Sequence, residues 1–356
     1  MKTLLVLPAM PEDSPFLKYY TDWFVENDKD FDIICLNRKS YDAKKYPSNV
    51  IVYDKEIKYG ENFIKRFFKN YLFYRFIRKR MREEVYDKVI LFTLPIVVFF
   101  SFFLVRKYNK EYIIDIRDYS PVYRLGICKW FIDRALSHSY TNCISSVGFK
   151  SWLPKELSYV LSHNVCKELL KLEESCGFNL DSPIRILTIG LIRDFASNSE
   201  FIHALANKTS FEFAFVGEGP DTPLLKEYVK KNHVENVEFY GRYEKAEESD
   251  IVKKYGLINN YMPDNVLSNS LVSNRFYLSV LYGKPMIVRD GSFQAFLARK
   301  YNLGIVIGSD DDMERSICRY CENFSRDVFD SGRRCLLEEI KGDIGVFESL
   351  LTEFVK

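Results

Sequence analysis

Charge of one sign is not in excess in this chain of 356 residues: 51 Lys and Arg face 49 Asp and Glu, a net charge of +2. Composition therefore makes no general case for a nucleic-acid binder. Nothing at the amino terminus reads as a secretory leader, because Leu4 to Leu7 is too short for a hydrophobic region and Pro8, Pro11, Glu12 and Asp13 follow at once. A first strand is expected there instead. No apolar run reaches the roughly 20 residues of a membrane span. The longest, Val89 to Val105, is divided by Pro95 and reads as a buried strand, Val89 to Phe92, then a buried helix with Pro95 in its first turn. The eight cysteines, at positions 35, 128, 143, 166, 176, 318, 321 and 335, lie mostly within apolar runs, which suits buried thiols in a reducing cytoplasm. Cys318 and Cys321 form a CxxC with no second pair and no histidine beside it, which argues against a zinc site. His138, His163, His203 and His233 are scattered and read as structural or solvated.

What the chain does have is 47% hydrophobic residues, enough to fill two cores, and a regular alternation of short apolar runs with helical patterns. Strands are expected at Thr3 to Leu7, Asp32 to Leu36, Val50 to Tyr53, Val89 to Phe92, Tyr112 to Ile116, Asn142 to Ile144 and Leu157 to Leu161. Helices are expected at Pro15 to Val25, Glu61 to Arg82 and Val122 to Leu136. The pattern pauses at His163 and Asn164, where a charged stretch, Lys167 to Asp181, reads as a connection. It restarts with strands at Arg185 to Ile189, Glu212 to Val216, Asn236 to Phe239, Gly256 to Asn259, Met286 to Val288 and Gly304 to Ile307. This predicts an α/β protein of two Rossmann-like, doubly wound domains facing a cleft. The expected division is residues 1–165, a linker over 166–183, residues 184–340, and a C-terminal helix over 341–356 free to pack back on the first domain. Ligands of such sheets bind at the carboxyl ends of strands, so the cleft is the expected site.

The stretch that organises the second half is SNRFYLSVLYGKPMIV, Ser273 to Val288. Phe276 with Val280 and Tyr277 with Leu281 are i,i+4 apolar pairs, and Gly283 followed by Pro285 supplies the stop. Asn274 and Arg275 stand at the N-terminal turn, where backbone N–H groups and the helix dipole favour an anion. Three loops earlier in this half end strands with glycine: Gly190 with Arg193, Gly217-Glu218-Gly219, and Tyr240-Gly241-Arg242. Glycine after a strand is most often only a turn, but here such loops follow successive strands of one expected sheet and could receive a phosphorylated ligand.

Together, Gly190 to Arg193, VGEGP at Val216 to Pro220, NVEFYGR at Asn236 to Arg242 and the Ser273 to Val288 stretch resemble the nucleotide-sugar-binding domain of GT-B glycosyltransferases. The likeness is nearest to family 4-like and galactofuranosyltransferase-like enzymes of bacterial capsule and O-antigen assembly. It covers most of residues 184 to 320, and IDIRDYSP at Ile114 to Pro121 and ISSVGFKSWLP at Ile144 to Pro154 add a less specific likeness in the first half. The resemblance implies a metal-independent hexosyltransferase that takes a nucleotide sugar, a UDP-sugar foremost, to a lipid-diphosphate-linked or glycan acceptor. It also implies that Arg193, Asn274 and Arg275 hold the diphosphate and that Gly241 faces the base, with Gly190, Gly217, Glu218, Gly219, Tyr240 and Tyr277 completing the donor side. Arg117 and Tyr119 fall on the acceptor side. Retaining family 4 enzymes carry two glutamates eight apart where this chain has Ser270 and Leu278, so stereochemistry is left open. The usual glycine-rich loop after the first strand is replaced by Pro8 to Asp13.

Transfer needs the leaving diphosphate neutralised and, for inversion, a base at the acceptor hydroxyl. Arginines supply the first without metal. Asp118, ending a first-domain strand, is the leading base, with Asp13 second; the alternative is that Asp115 or Asp118 caps the helix near Pro121. Asp310, Asp311 and Asp312 read as a helix N-terminus rather than a metal motif. Finally, ENFIKRFFKNYLFYRFIRKRMR, Glu61 to Arg82, interleaves cations with aromatics. It reads either as a solvated face over an aromatic core or as peripheral contact with the inner face of a plasma membrane. Two rivals to the transferase remain, a GT-B-fold nucleotide-sugar epimerase and a non-catalytic polysaccharide-assembly partner.

Overall fold

The computed structural model describes residues 1–37, 45–54, 62–165, 170 and 180–356, with the side chains of all but 63 and 66. The expected connection Lys167 to Asp181, Glu61, Cys166 and Cys176 lie largely or wholly outside the described residues. Two compact units are present: Met1–Cys166 with Gly342–Lys356, and Lys167–Lys341.

In the first unit, strands β1 (Lys2–Leu7), β2 (Asp30–Asn37), β3 (Val50–Asp54), β4 (Lys88–Phe92), β5 (Tyr112–Ile116), β6 (Thr141–Ile144) and β7 (Tyr159–Leu161) form one sheet. Its order is β3-β2-β1-β4-β5-β6-β7, and every pairing is parallel. A parallel sheet is covered on both faces, which is why β5 is buried at every position rather than at alternate ones. The chain steps outward from β1 to β3, then returns through helix α2 (Phe63–Glu83) to β4 on the other side of β1. Helices α3 (Leu94–Lys107) and α4 (Gly126–His138) follow β4 and β5, and α2, α3 and α4 pack side by side. The first helix, α1 (Leu17–Glu26), meets the C-terminal helix instead: Tyr19 and Tyr20 present ring edges to Phe347 at 6.5 and 5.1 Å.

The apolar run Val89 to Val105 resolves into β4 and α3, with Pro95 in the first turn of α3. Among the described residues no helix is long and apolar enough to cross a membrane. One expected element is broken: in place of a helix over Val122 to Leu136, a 3-10 turn (Pro121–Arg124) is followed by α4. Leu125 between them is extended at φ −79°, ψ 113°, and Gly126, a poor helix former, opens the new helix.

The second unit has strands β8 (Ile184–Ile189), β9 (Phe211–Val216), β10 (Val237–Gly241), β11 (Leu257–Asn260), β12 (Met286–Arg289) and β13 (Gly304–Ile307) in the order β10-β9-β8-β11-β12-β13. These are parallel too. Helices α5 (Phe195–Leu205), α6 (Thr222–Lys231), α7 (Glu248–Lys253), α8 (Val266–Ser270), α9 (Asn274–Tyr282), α10 (Phe293–Lys300) and α11 (Met313–Glu322) link them, and α12 (Arg326–Phe354) closes the chain. The core is phenylalanine-rich: Phe201, Phe211, Phe213 and Phe215 are all buried, and Phe215 stacks on Phe239 at 5.0 Å. The strand order reverses between β8 and β11, which makes their carboxyl ends the topological switch point of this sheet.

Candidate functional site

The switch point of the second sheet is built from three loops and one helix end. Gly190 leaves β8 at φ +95°, a conformation only glycine adopts at ease, and a side chain there would meet nothing within 4 Å. Its N–H is donated to Val216 O at 2.9 Å, and Gly217 N–H to Gly241 O at 2.6 Å. Gly217 and Gly219 serve a different end. A Cβ on Gly217 would lie 2.0 Å from Gly190 O, and one on Gly219 would lie 1.9 Å from Ile192 O. These two glycines let two loops lie against each other, whereas Gly190 fronts open space. Asn198 fixes the first loop by donating to Arg193 O and Asp194 O at 2.7 and 3.0 Å. Asp194 itself sits in the left-handed region at φ 68°.

Helix α9 is fixed at both ends. At its start Ser273 caps with its hydroxyl, accepting from Phe276 N–H at 3.1 Å. Ser273 is itself held, its N–H on Gln294 Oε1 at 3.0 Å and its hydroxyl on Asn260 Oδ1 at 2.8 Å, while Asn260 Nδ2 donates to the same Gln294 oxygen. At its end Gly283 takes the left-handed cap, φ 63°. Arg333 of α12, 3% exposed, donates to the last carbonyls, Val280 O and Leu281 O.

Arg275, in the first turn of α9, bridges the switch point itself. Its Nε donates to Ile189 O at 2.9 Å, Nη2 to Leu191 O at 3.0 Å and Nη1 to Asn259 O at 3.3 Å, so it ties the end of β8 to the end of β11. A guanidinium offers five N–H donors, of which three are used here. Burial, and then the neighbouring Arg193, push its pKa down to about 10, which leaves it charged at neutral pH. The half-buried Arg193 stands 3.6 Å from Asp194. Two guanidinium groups thus share a half-buried place where the contacts to Arg275 are carbonyl dipoles, an arrangement an anion would complete. Arg275, expected to help hold a diphosphate, thus uses three of its five donors to hold the two strands together.

The remaining donor-side residues are spread. Asn274 is exposed at the first position of α9, and Tyr277 is 4% exposed, inside the helix's packed face. Glu218 pairs with Arg242 at 2.8 Å. Tyr240, 59% exposed, gives its hydroxyl to Glu238 on its own strand, and that bond pushes its pKa up to about 12. Tyr243 went unread in the sequence: its hydroxyl donates to the buried Glu248 at 3.2 Å, and burial, then Glu248, push it up while Arg275 opposes them. A lone tyrosine in a loop carries no pattern that would have found it. At the positions of the absent glutamates, Ser270 is 3% exposed and turns its hydroxyl to Val266 O at 2.6 Å, and Leu278 is 8% exposed.

In the first unit the motif Asp115-Ile116-Arg117-Asp118-Tyr119 divides. Asp115 is fully buried and accepts from Tyr20 hydroxyl at 2.5 Å and from Arg117. Burial pushes its carboxyl up and Arg117 opposes this. Arg117, 6% exposed, also donates to Ser162 O at 2.9 Å and Ser162 Oγ at 2.6 Å, with its guanidinium 4.3 Å from the Phe16 ring. The side chain expected on the acceptor side is therefore buried and paired inside the sheet edge. The N-cap residue of the turn at Pro121 is Ser120. Asp118 is exposed after β5, and Asp13 is exposed in the 3-10 turn Pro11–Asp13 after β1. The two share the carboxyl edge of the first sheet, with β4 between their strands. Tyr119 accepts from Arg124 Nε at 2.6 Å and meets Trp152 edge-on at 5.2 Å. Among the described residues no group of three or more His, Cys, Asp or Glu is gathered as a metal would need.

No protein-family model and no curated protein sequence matches the chain. Solved structures do match along its whole length. A sucrose-phosphate synthase from Thermosynechococcus elongatus is similar at TM-score 0.74 and 11% identity, over 99% of both chains. The Anabaena protein HepE, in complex with UDP-glucose, is similar at TM-score 0.66 and 11% identity, over 99% of this chain and 98% of that one. WaaG, a glycosyltransferase involved in lipopolysaccharide biosynthesis, is similar at TM-score 0.60 and 10% identity, over 95% of both. At such identities the likeness is one of fold. It bears out the expected class, α/β with two Rossmann-like parallel-sheet domains, as in the GT-B glycosyltransferases.

Proposed function

We propose that this chain is a glycosyltransferase that takes a sugar from a nucleoside-diphosphate donor to a lipid-linked or oligosaccharide acceptor in bacterial surface-polysaccharide assembly. The observation that carries the reading is the switch point of the second sheet, where Arg275, Arg193 and the open face of Gly190 meet at the N-terminus of α9. Glycosyl transfer forms a bond from the acceptor oxygen to the anomeric carbon and breaks the bond to the diphosphate, which leaves with the electron pair. Two cations held in place before the reaction stabilise that developing charge without a metal. The UDP-glucose bound to HepE supports a UDP-sugar donor and a hexosyl group. Asp118, with Asp13 after it, is the candidate to accept the acceptor's proton. The basic, aromatic α2 supports work at the inner face of a membrane.

A second reading is favoured by one observation: Ser270 and Leu278 are buried where related retaining enzymes place carboxylates, which suits a non-catalytic assembly partner that still binds nucleotide. Calorimetric titration with UDP, GDP and a panel of nucleotide sugars is the test. Micromolar binding of a nucleotide sugar with transfer to an added acceptor is expected. Binding without turnover selects the non-catalytic partner, conversion of the donor without acceptor selects an epimerase, and no binding to folded protein overturns every one of these readings.

A further inference from the structure

Helix α2 carries two apolar stripes. One, Phe73, Ile77 and Met81, is buried at 0, 0 and 5% exposure against the first unit's core. The other, Ile64, Phe67, Phe68 and Tyr71, recurs at i, i+3, i+4 and i+7 and is 73, 40, 58 and 39% exposed. Only one stripe is needed to pack a surface helix, and the second leaves its tips exposed. It does not end with α2. Phe67 meets Phe99 of α3 at 4.8 Å, and one turn further along α3, Phe102 meets Trp130 and Phe131 of α4 at 6.1 and 5.4 Å. On α4 the buried residues are Cys128, Ile132, Ala135 and Leu136, while Ile127 and Trp130 point outward at 71 and 53% exposure. An aromatic ridge therefore crosses three adjacent helices.

Its flanks are cationic. Lys65, Arg75, Lys79 and Arg82 of α2 are exposed, with Glu83 as that helix's acid. The Arg134 guanidinium lies over both Phe102 and Trp130 at 5.5 and 5.9 Å. Aliphatic and aromatic tips ringed by Lys and Arg match the interface of an anionic bilayer, where rings sit at headgroup depth and cations meet phosphates. A second copy fits less well, because apposed faces would bring the same cations together.

We propose that α2, α3 and α4 together form a membrane-docking face that seats Ile64, Phe68, Ile127 and Trp130 in the headgroup region of an anionic bilayer. This extends the contact suggested for α2 alone and rests on no assumption about sugar transfer. Sedimentation of the full chain with vesicles of phosphatidylcholine and phosphatidylglycerol, and of phosphatidylcholine alone, tests it. Ile127→Ser with Trp130→Ser changes exposed side chains only, so the fold is expected to hold, with circular dichroism as the check. Partition into the anionic vesicles is expected to fall about tenfold or more in this variant, and brominated lipid is expected to quench the wild-type fluorescence but not that of Trp130→Phe. Unchanged partition in the double variant overturns the three-helix face while leaving contact through α2 standing. No binding of wild type to anionic vesicles overturns both, as does a self-association lost in the variant without vesicle binding, which makes the face a dimer interface.

Discussion

Arg117, just after β5, and Arg275, in the first turn of α9, each stand at the carboxyl edge of a parallel sheet, yet their charges are handled in opposite ways. Arg117 is neutralised by Asp115 and enclosed by Tyr20, Ser162 and Phe16. Arg275 is held by three carbonyl oxygens and faces a second cation, Arg193. A paired buried charge is neutralised, even where Arg117 Nε and Asp115 Oδ1 find no hydrogen-bond partner among the described residues, and removing one member of the pair leaves the other stranded. A charge bonded to carbonyl dipoles, beside another of its own sign and with Asp194 as the one carboxylate acting on both, retains the capacity to bind an anion. The difference separates a structural arginine from the one proposed to bind an anion more clearly than their exposure does.

The largest effect expected from this contrast is on folding. Asp115→Ala strands the Arg117 charge and is expected to cost about 3–5 kcal/mol in urea unfolding, with UDP affinity per folded molecule unchanged; a loss of affinity in the folded fraction would break the contrast. Arg275→Ala is expected to lower both quantities, stability by about 2 kcal/mol through its lost bonds to carbonyls and UDP affinity by about tenfold. Arg275→Lys is expected to recover part of the affinity and little of the stability, because an ammonium cannot reach three carbonyls in a plane. Arg193→Ala sharpens the comparison, with a loss of UDP affinity of about tenfold and unfolding displaced by less than about 0.5 kcal/mol, as for an exposed ion pair. Both affinities are read by calorimetry.

The smallest effect belongs to an ion pair on the surface. Asp290 accepts from Arg299 at 2.6 and 2.8 Å, and that pairing, with the Gly291 N–H, pulls its pKa down to about 2 from an ordinary 3.8. A depressed carboxyl adds stability that is present above its unfolded value and lost as pH falls through the folded one. The difference between wild type and Arg299→Ala, followed by thermal unfolding, is therefore expected to be constant above pH 4 and to vanish toward pH 2. Solvent screening keeps it small.

Much of the second unit's frame was legible in the sequence because its signals are local. The i,i+4 pairs and Gly283 lie within a few residues of one another, and they set a helix and its stop as the structure has them; the N-cap Ser273 is equally local but went unread. The alternation of apolar runs with helical patterns is likewise local, and it yields strands close to their observed bounds. The site itself was legible only in part. Arg275 stands where an anion-binding residue was expected, but its partners Ile189, Leu191 and Asn259 come from two other strands' ends, and nothing in SNRF states that the guanidinium would be shared with them.

The amino-acid sequence by itself determined the succession of strands and helices, the caps of α9 and the placing of cations and glycines at strand ends, since each depends on residues within a turn or two. Tertiary structure decided what those residues do. Arg117 read like a site residue beside Asp118, and Asp115 like a possible cap, until Tyr20 and Ser162, 95 and 45 residues away, enclose the pair. Gly217 and Gly219 read like room for a ligand, until the backbone of Gly190 and Ile192 fills that room. Burial and close approach are properties of segments brought together by folding, and no window of sequence contains both sides of such a contact.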